Sequence, residues 1–238
     1  MSPGMRFPDT RWTLIAHLGD PTKVEAALDQ LCGAYWPPIY AYLVQAGHPH
    51  PQAQDLTQDF LGMVVRRRLL ERAEAVSGTL RSWLLASLRN FLANSRRHDV
   101  RQKRGAGQTV LPLDHEDAWR EIGGVPAEHL SPDEAFDRAW IEVLLRRVLD
   151  QLTRQYQEAN KGDEFTALLP WLLDDAATPQ VQAAAAAGMT IASFRVQLHR
   201  LRGRYRETLR REITATLERE EDYEEELAYL FRLIGRRE

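Results

Sequence analysis

Apolar residues recur at the three- and four-residue spacing of an amphipathic helix along most of the chain. The clearest case is residues 80–104, where one arc at 100° per residue collects Leu80, Leu84, Leu85, Leu88, Phe91 and Leu92. No stretch sustains the apolar–polar alternation that predicts a β-strand. The pattern therefore predicts an all-α fold in which each helix buries one stripe.

The same spacing predicts further helices over residues 10–16, 22–35, 51–70, 136–156 and 165–173. Pro37 and Pro38 are expected to begin a separate helix that buries Ile39, Leu43 and Val44, because proline is tolerated in a first helical turn.

Two helices joined by a tight turn are predicted later in the chain. An alanine-rich helix over residues 181–187 is followed by Gly188, which ends it, and by Thr190 as the next N-cap. The second helix has a narrow apolar arc, made of Ile191, Phe194, Leu198, Leu201, Tyr205 and Leu209. This arrangement, with an arginine-rich second helix, is typical of a helix-turn-helix. The alternative is a generic helix pair with a solvated basic face.

Residues 106–134 contain several helix breakers and no lasting period, which favours a linker. Ser131 and Glu134 have the spacing of a capping box at the start of the next helix. We therefore predict two small helical domains joined by a long linker, the second containing the helix-turn-helix. The predicted boundaries are a first domain over 1–105, a linker over 106–134, a second domain over 135–215 and an acidic tail over 216–238.

Charge is distributed very unevenly, although the net charge of the chain is only −3. Residues 66–104 hold eleven Lys or Arg against three Asp or Glu, and residues 195–211 hold seven Arg against one Glu. Residues 212–238 hold nine acids against four arginines. Two basic islands far apart in sequence predict a polyanion contacted at two places.

The side of 80–104 opposite its apolar arc carries arginines and asparagines, with Trp83 at the margin. Such side chains suit phosphate contact, base-edge hydrogen bonding and stacking. A solvated basic face with Trp83 in the core is the other interpretation, and the two are balanced when the stretch is taken alone.

The sequence gives little support for a catalytic or metal-binding function. The chain has no P-loop, dinucleotide-binding turn, nucleophile elbow or HExxH motif, so we expect no enzyme, no catalytic residue and no cofactor. Asp55 and Asp59 lack a matching ligand elsewhere, and His48 and His50 fit an exposed loop better than a metal site. One cysteine, Cys32, excludes an internal disulfide framework. Without a signal peptide or membrane-spanning run, we expect a cytoplasmic protein.

Three sequence runs, in this order, resemble those of a known family. They are QDLTQDF at 54–60, LRSWLLASLRNF at 80–91, and GMT at 188–190 ahead of RVQLHR at 195–200. In these runs the chain resembles the bacterial sigma-70-type RNA polymerase sigma factors, most closely the two-domain extracytoplasmic-function group. The resemblance covers residues 10–209 and implies that core RNA polymerase and promoter DNA are the partners. An anti-sigma factor or another regulator would also fit the family, but no residue signals one.

The resemblance implies a role for each matching position. Contact with the clamp of the largest polymerase subunit would fall to Asp55, Gln58, Asp59 and Phe60. Recognition and opening of the minus-ten sequence would fall to Trp83, Arg89, Asn90, Asn94, Arg96 and Arg97. Stacking of a captured base on an aromatic side chain, worth about 1–3 kcal/mol, would offset the cost of unstacking it.

The helix that follows Thr190 matches the minus-thirty-five reader of the family, which lies in the major groove. The residues implied to read bases are Ser193, Arg195, Val196, His199 and Arg200, with Arg202 and Arg204 on phosphates. Ala183 and Ala187 stand where the family usually has large apolar residues. We therefore predict a less stable or differently packed helix-turn-helix.

The acidic tail has two interpretations: a solvated charge run, or a segment that shields the basic helices from DNA until polymerase or a signal displaces it. For the whole chain, the sigma-factor hypothesis has two alternatives. One is a helix-turn-helix DNA-binding regulator that never contacts polymerase, and the other is an interaction protein built on a degenerate sigma fold.

Overall fold

The computed structural model describes Thr22 and residues 24–66, 79–99, 130–172, 179–217 and 219–234. Regular structure in these residues is entirely helical, so the predicted all-α class is confirmed. None of the helices described combines the length and apolarity needed to cross a bilayer. The predicted helix over 10–16, residues 67–70 and linker residues 106–129 lie outside the described residues.

The helices are, in chain order, α1 (Val24–Gln45), α2 (His50–Arg66), α3 (Leu80–Asp99), α4 (Pro132–Glu158), α5 (Gly162–Leu172), α6 (Gln180–Ala186), α7 (Ile191–Thr214) and α8 (Tyr223–Ile234). A single 3₁₀ turn, Glu220–Asp222, precedes α8.

α1 continues through Pro37 and Pro38, so the prediction of a separate helix beginning at these prolines is wrong. Each proline removes a backbone N–H donor from the helix. Burial on both sides of the pair compensates, because the helix packs Leu31, Cys32, Ala34, Tyr35, Trp36, Ile39, Tyr40 and Leu43 into the core. Tertiary packing therefore overrides the local tendency of proline to break the helix.

A tight turn connects α1 to α2. Gly47 adopts a φ of +89°, its N–H donates to the Val44 carbonyl at 3.0 Å, and the His48 N–H donates to the Leu43 carbonyl at 3.1 Å. These bonds satisfy carbonyls at the end of α1. α2 begins at His50, inside the predicted loop, and the His50 ring Nδ1 is hydrogen-bonded to the Tyr40 hydroxyl.

Two compact units make up the chain: residues 1–143 with 213–238, and residues 144–212. This division differs from the predicted domains in two respects. Residues 216–234, predicted as an acidic tail, belong to the first unit, and the boundary at 143 falls inside α4. α4 also begins inside the predicted linker.

The start of α4 is fixed by the predicted capping box. The Glu134 N–H donates to Ser131 Oγ at 3.3 Å, and the Ser131 N–H donates to Glu134 Oε2 at 3.0 Å. Two backbone donors at the helix terminus are thereby satisfied reciprocally. Pro132 follows in the first helical position, where its missing N–H costs nothing.

The core of the first unit collects the predicted stripes of its helices. Phe60 and Val64 of α2 are fully buried, and the rings of Phe60 and Phe91 lie 5.6 Å apart between centroids. α3 buries Leu80, Leu84, Leu85, Leu88 and Leu92, as its arc predicts, while Phe91 is half-buried.

The core of the second unit is built from α4–α7. Its buried members are Val148, Leu152, Tyr156, Phe165, Leu168, Ala184, Phe194, Leu198 and Leu201. The remaining residues of the predicted α7 arc, Ile191, Tyr205 and Leu209, are partly buried against it. α7 therefore presents one apolar stripe to this core and keeps its other faces outside.

Candidate nucleic-acid and polymerase interfaces

The four residues of α2 implied in polymerase contact divide between surface and core. Asp55 and Asp59 are exposed and Gln58 is half-buried, so three polar side chains lie on or near the outer face of α2. Phe60 is fully buried and packs against Phe91. Phe60 therefore packs α2 against α3, and its ring is not accessible to a partner in this conformation.

On α3 the implied minus-ten residues lie outside the buried stripe. Arg89, Asn90 and Asn94 are exposed, and Trp83 is half-buried. The backbone at Arg96 and Arg97 is helical, whereas their side chains lie outside the described part of the structure. α3 thus carries a row of two amides and a guanidinium on its open side. Trp83 is partly in the core and partly accessible.

Arg89 is the charged member of this row, and it forms an ion pair with Asp133 at the start of α4. The hydrogen bond to Asp133 is the largest of the causes that raise the pKa of the Arg89 guanidinium. Both side chains remain about half exposed. Such an exposed pair contributes little to stability, about 0–1 kcal/mol, and a phosphate could exchange with Asp133 at small cost.

The role of Arg81 is not predicted by its surroundings in the sequence. This residue is buried, with 5% of its surface exposed, and its guanidinium forms ion pairs with Asp137 of α4 and Glu226 of α8. The distance from Nη2 to Glu226 Oε1 is 3.2 Å, and Nε lies 3.3 Å from the same oxygen. We refer to Arg81, Asp137, Glu226 and Tyr229 as the Arg81 cluster.

Aromatic rings complete the surroundings of Arg81. Its guanidinium carbon lies 4.8 Å from the centroid of Tyr229 and 5.5 Å from that of Trp140. The Tyr229 hydroxyl donates a hydrogen bond to Asp137. Guanidinium groups tolerate such environments because they are weakly hydrated and stack on aromatic faces.

Electrostatics keep this cluster charged and tightly coupled. Burial lowers the pKa of the Arg81 guanidinium, but attraction to Asp137 and Glu226 outweighs burial and raises its pKa above the ordinary value. The pKa of Tyr229 is raised by burial first and then by its hydrogen bond to Asp137. Arg81 is therefore cationic and Tyr229 neutral across physiological pH.

A groove of about 710 Å³ runs beside the Arg81 cluster in the first unit. Its α3 and α4 sides include Ser82, Arg89 and Asp133. Its remaining lining comes from the segment that contains α8, with Leu217, Arg219, Asp222, Glu225, Glu226, Tyr229 and Arg232. The face of α3 that carries Ser82 and Arg89 thus shares a groove with a segment predicted to be an acidic tail, and both side chains remain exposed.

The second unit contains two helices joined by the predicted glycine turn. Gly188 has a φ of +65°, and its N–H donates to the Ala185 carbonyl at 3.1 Å. Thr190 Oγ1 accepts the Ser193 N–H at 3.1 Å, which caps the N-terminus of α7. Ala184 is the buried alanine of α6, whereas Ala183 and Ala187 are half-buried.

All seven residues of α7 implied in DNA reading are exposed: Ser193, Arg195, Val196, His199, Arg200, Arg202 and Arg204. Half of the surface of Val196 is accessible, so its methyl groups belong to this exposed face. Arg195 Nε donates to Gln180 Oε1 of α6 at 3.2 Å. The first two turns of α7 therefore display a mixed face of hydroxyl, guanidinium, methyl and imidazole groups.

Arg202 and Arg204 have contacts within their own unit. Arg202 Nη2 donates to the Trp171 carbonyl of α5 at 3.1 Å, and the Arg204 guanidinium lies 5.1 Å from the Tyr156 ring centroid. The structure thus places the Arg202 side chain against α5 and the Arg204 side chain against α4.

Metal-binding groups do not converge in the part of the chain that the structure describes: no three His, Cys, Asp or Glu side chains there could hold an ion together. The groove and the α7 face instead offer arginine, amide and carboxylate groups. Such groups bind phosphates, base edges and polar side chains by charge and hydrogen bonding.

Comparison of the chain with protein-family models, curated proteins and solved structures finds no match.

Proposed function

We propose that this protein is a sigma factor, which binds core RNA polymerase, directs it to specific promoters in the cytoplasm and assists promoter melting without catalysing a reaction itself. The proposal starts from the resemblance of three motifs, which occur in the same order as in the sigma-70-type family. The single observation that carries it furthest is that two of these motifs fall on exposed helix faces with suitable chemistry, one on α3 and one on α7.

The α3 face supports a role in melting. Asn90 and Asn94 are exposed four residues apart, so both amides project from the same side of the helix. Arg89 adjoins them and can exchange Asp133 for a phosphate. Amides and a guanidinium on a rigid helix can hold an unpaired strand by its base edges and its backbone.

The α7 face supports recognition of duplex DNA. A helix-turn-helix places the N-terminal residues of its second helix on base edges in the major groove. Here these residues are Ser193, Val196, His199 and Arg200, all exposed. A guanidinium suits guanine, a hydroxyl suits any base, and the Val196 methyls suit the thymine methyl group. Arg202 and Arg204 would exchange their present contacts within the protein for phosphates of the DNA backbone.

The α2 surface favours a sigma factor over a DNA-binding regulator. Asp55 and Asp59 lie four residues apart and are exposed, so they form one acidic edge on α2. A repressor or activator that contacts DNA alone has no use for this edge, since phosphates repel it. In a sigma factor the same edge would contact the polymerase clamp.

Reconstitution with purified core polymerase tests the proposal. We expect run-off transcripts from a subset of genomic fragments only when this protein is added, and we expect the variant Asp55→Arg/Asp59→Arg to lose both polymerase binding and transcripts. The matched control is Asp150→Arg/Asp163→Arg, which reverses two exposed carboxylates of the second unit. DNA binding without polymerase association would identify a regulator instead, and neither activity would leave a degenerate sigma fold.

A further inference from the structure

We propose that α8 is an autoinhibitory clamp that narrows the groove beside the Ser82–Arg89 face of α3 and is displaced when nucleic acid enters that groove. The inference rests on the proposed function, because it assigns regulation to the face that would open promoters. One interpretation of the sequence is that the negative charge of the acidic tail shields the basic helices from DNA. The structure instead assigns a folded helix, fastened at one buried carboxylate.

The fastening is the contact between Glu226 and Arg81. Both side chains are more than nine-tenths buried, and two guanidinium nitrogens lie within 3.3 Å of Glu226 Oε1. Tyr229, one turn further along α8, adds its hydroxyl to Asp137 and its ring to the guanidinium. A single helix face thus inserts a carboxylate and a phenol into the same small site.

The charge count of the Arg81 cluster makes the fastening reversible. Arg81 and Asp137 already form a neutral pair between α3 and α4, so Glu226 brings a second carboxylate to one guanidinium. When α8 leaves, Arg81 retains Asp137 and no unpaired charge remains buried on α3. The heavy penalty for breaking a buried ion pair arises from such an unpaired charge, and here it is avoided.

The rest of the α8 contact is small. Besides Glu226, the buried described side chains of α8 are Tyr223 and Leu230; Leu227, Tyr229 and Leu233 are half-buried, and Phe231 is 62% exposed. Segments with few buried apolar side chains open at a lower free energy than the whole protein. α8 therefore combines a specific contact with a weak hydrophobic attachment, as a displaceable element requires.

The clamp borders the face that the proposed function uses. Ser82 and Arg89 remain exposed at one side of a groove of about 710 Å³, a volume typical of small-molecule pockets. Asp222, Glu225 and Glu226 line the same groove, although Arg219 and Arg232 balance part of their charge. A strand that extends from Arg89 into the groove toward Arg81 therefore meets the α8 wall, and the obstruction is mainly steric.

Binding of a fluorescent single-stranded oligodeoxynucleotide to the full chain and three variants tests the clamp. The variants are a deletion of residues 218–238, Glu226→Gln, and Glu224→Gln as a matched control, because Glu224 is exposed on the same helix and loses the same charge. If about a tenth of the molecules are open, the deletion binds the strand about tenfold more tightly. Glu226→Gln should recover part of that gain, and Glu224→Gln none.

Hydrogen exchange supplies a readout that does not depend on sigma activity. We expect the amides of 223–234 to exchange faster in Glu226→Gln than in Glu224→Gln, and faster in the full chain once the strand is bound. Equal strand affinity in the full chain and the deletion, or strand binding without faster exchange in α8, would overturn the clamp. Failure of every variant to bind core polymerase would instead refute the sigma-factor proposal, whatever the two clamp readouts show.

Discussion

The two arginine-rich helices of this protein treat their arginines differently. On α3, Arg81 is buried in an ion cluster and Arg89 is paired with Asp133. On α7, Arg195, Arg202 and Arg204 contact an amide, a carbonyl and a ring at the surface, and all remain exposed. Arginines at helical spacing therefore have two different roles here. On α3, Arg81 stabilises the fold, whereas on α7 the guanidinium groups remain available to a ligand.

The difference follows from the neighbours of each helix. α3 is packed beside α4 and α8, which offer Asp133, Asp137 and Glu226, so carboxylates reach its arginines. The contacts of the three α7 arginines are neutral acceptors or a ring. A neutral acceptor competes poorly with a phosphate, whereas a buried carboxylate competes well. We therefore expect mutation of Arg81 on α3 to change stability and mutation of the exposed α7 arginines to change binding.

The largest effect should come from Arg81→Met. This change leaves Asp137 and Glu226 buried without a counter-charge, which costs about 3–5 kcal/mol of unfolding free energy. Urea unfolding of the first unit measures it. Arg200→Met, on the exposed face of α7, should cost less than about 0.5 kcal/mol. Equal losses from both substitutions would remove the contrast between the two helices.

Binding to duplex DNA sharpens the same contrast from the other side. Under the proposed function, Arg200→Ala should lose about 1–3 kcal/mol of binding free energy to a cognate duplex if the guanidinium reads a base. Arg202→Ala serves as the comparison, because its bond to the Trp171 carbonyl gives it a structural contact. Titration over a range of salt concentrations separates the two: a phosphate contact lowers the salt slope by about 1 without altering base preference.

The turn between α6 and α7 gives a smaller and purely conformational effect. Gly188→Ala should destabilise the second unit by about 1–2 kcal/mol, because a φ of +65° strains any L side chain although nothing obstructs the added methyl group. Gly203→Ala is the matched control inside α7, where space is also open. It should stabilise that helix by about 0.5–1 kcal/mol. A loss at Gly203 equal to that at Gly188 would point to crowding rather than backbone strain.

Alkaline pH should produce the mildest change, and it should affect both units. Burial raises the pKa of Tyr229 in the first unit and of Tyr205 in the second, so the folded protein retains these protons longer than the unfolded chain. Stability is therefore complete below the ordinary tyrosine pKa of about 10 and falls as pH rises beyond it. Thermal unfolding between pH 8 and 11 measures the decline. Tyr229→Phe should weaken the decline; an unaltered decline would mean that Tyr229 does not contribute.

Apolar periodicity was sufficient to predict the helices that hold the candidate faces. The α3 stripe, the α7 arc and the capping box at Ser131 all follow from local spacing, and the structure has each of them. Periodicity failed where distant packing decides the outcome. Pro37 and Pro38 remain inside α1 because the residues around them are buried, a fact that their own neighbourhood in sequence does not contain.

The burial of Arg81 could not be predicted from the sequence for a similar reason. It follows Leu80 on α3, and its partners lie 56 and 145 residues further along the chain. A charged residue next to an apolar arc is normally solvated, so only a contact between remote segments can bury it. The segment 218–226 looked like a solvated run because eight of its nine residues are charged, yet one face of the following helix is anchored.

The first backbone donor of α3 carries a practical consequence for dissecting the protein. The Leu80 N–H donates to the Thr216 carbonyl at 3.2 Å, a partner that arrives only after the whole second unit has been traversed in sequence. A recombinant fragment that stops at residue 143 would leave this amide without its acceptor and Arg81 without Glu226. Work on α3 should therefore keep residues 213–217, as both the full chain and the deletion of residues 218–238 do.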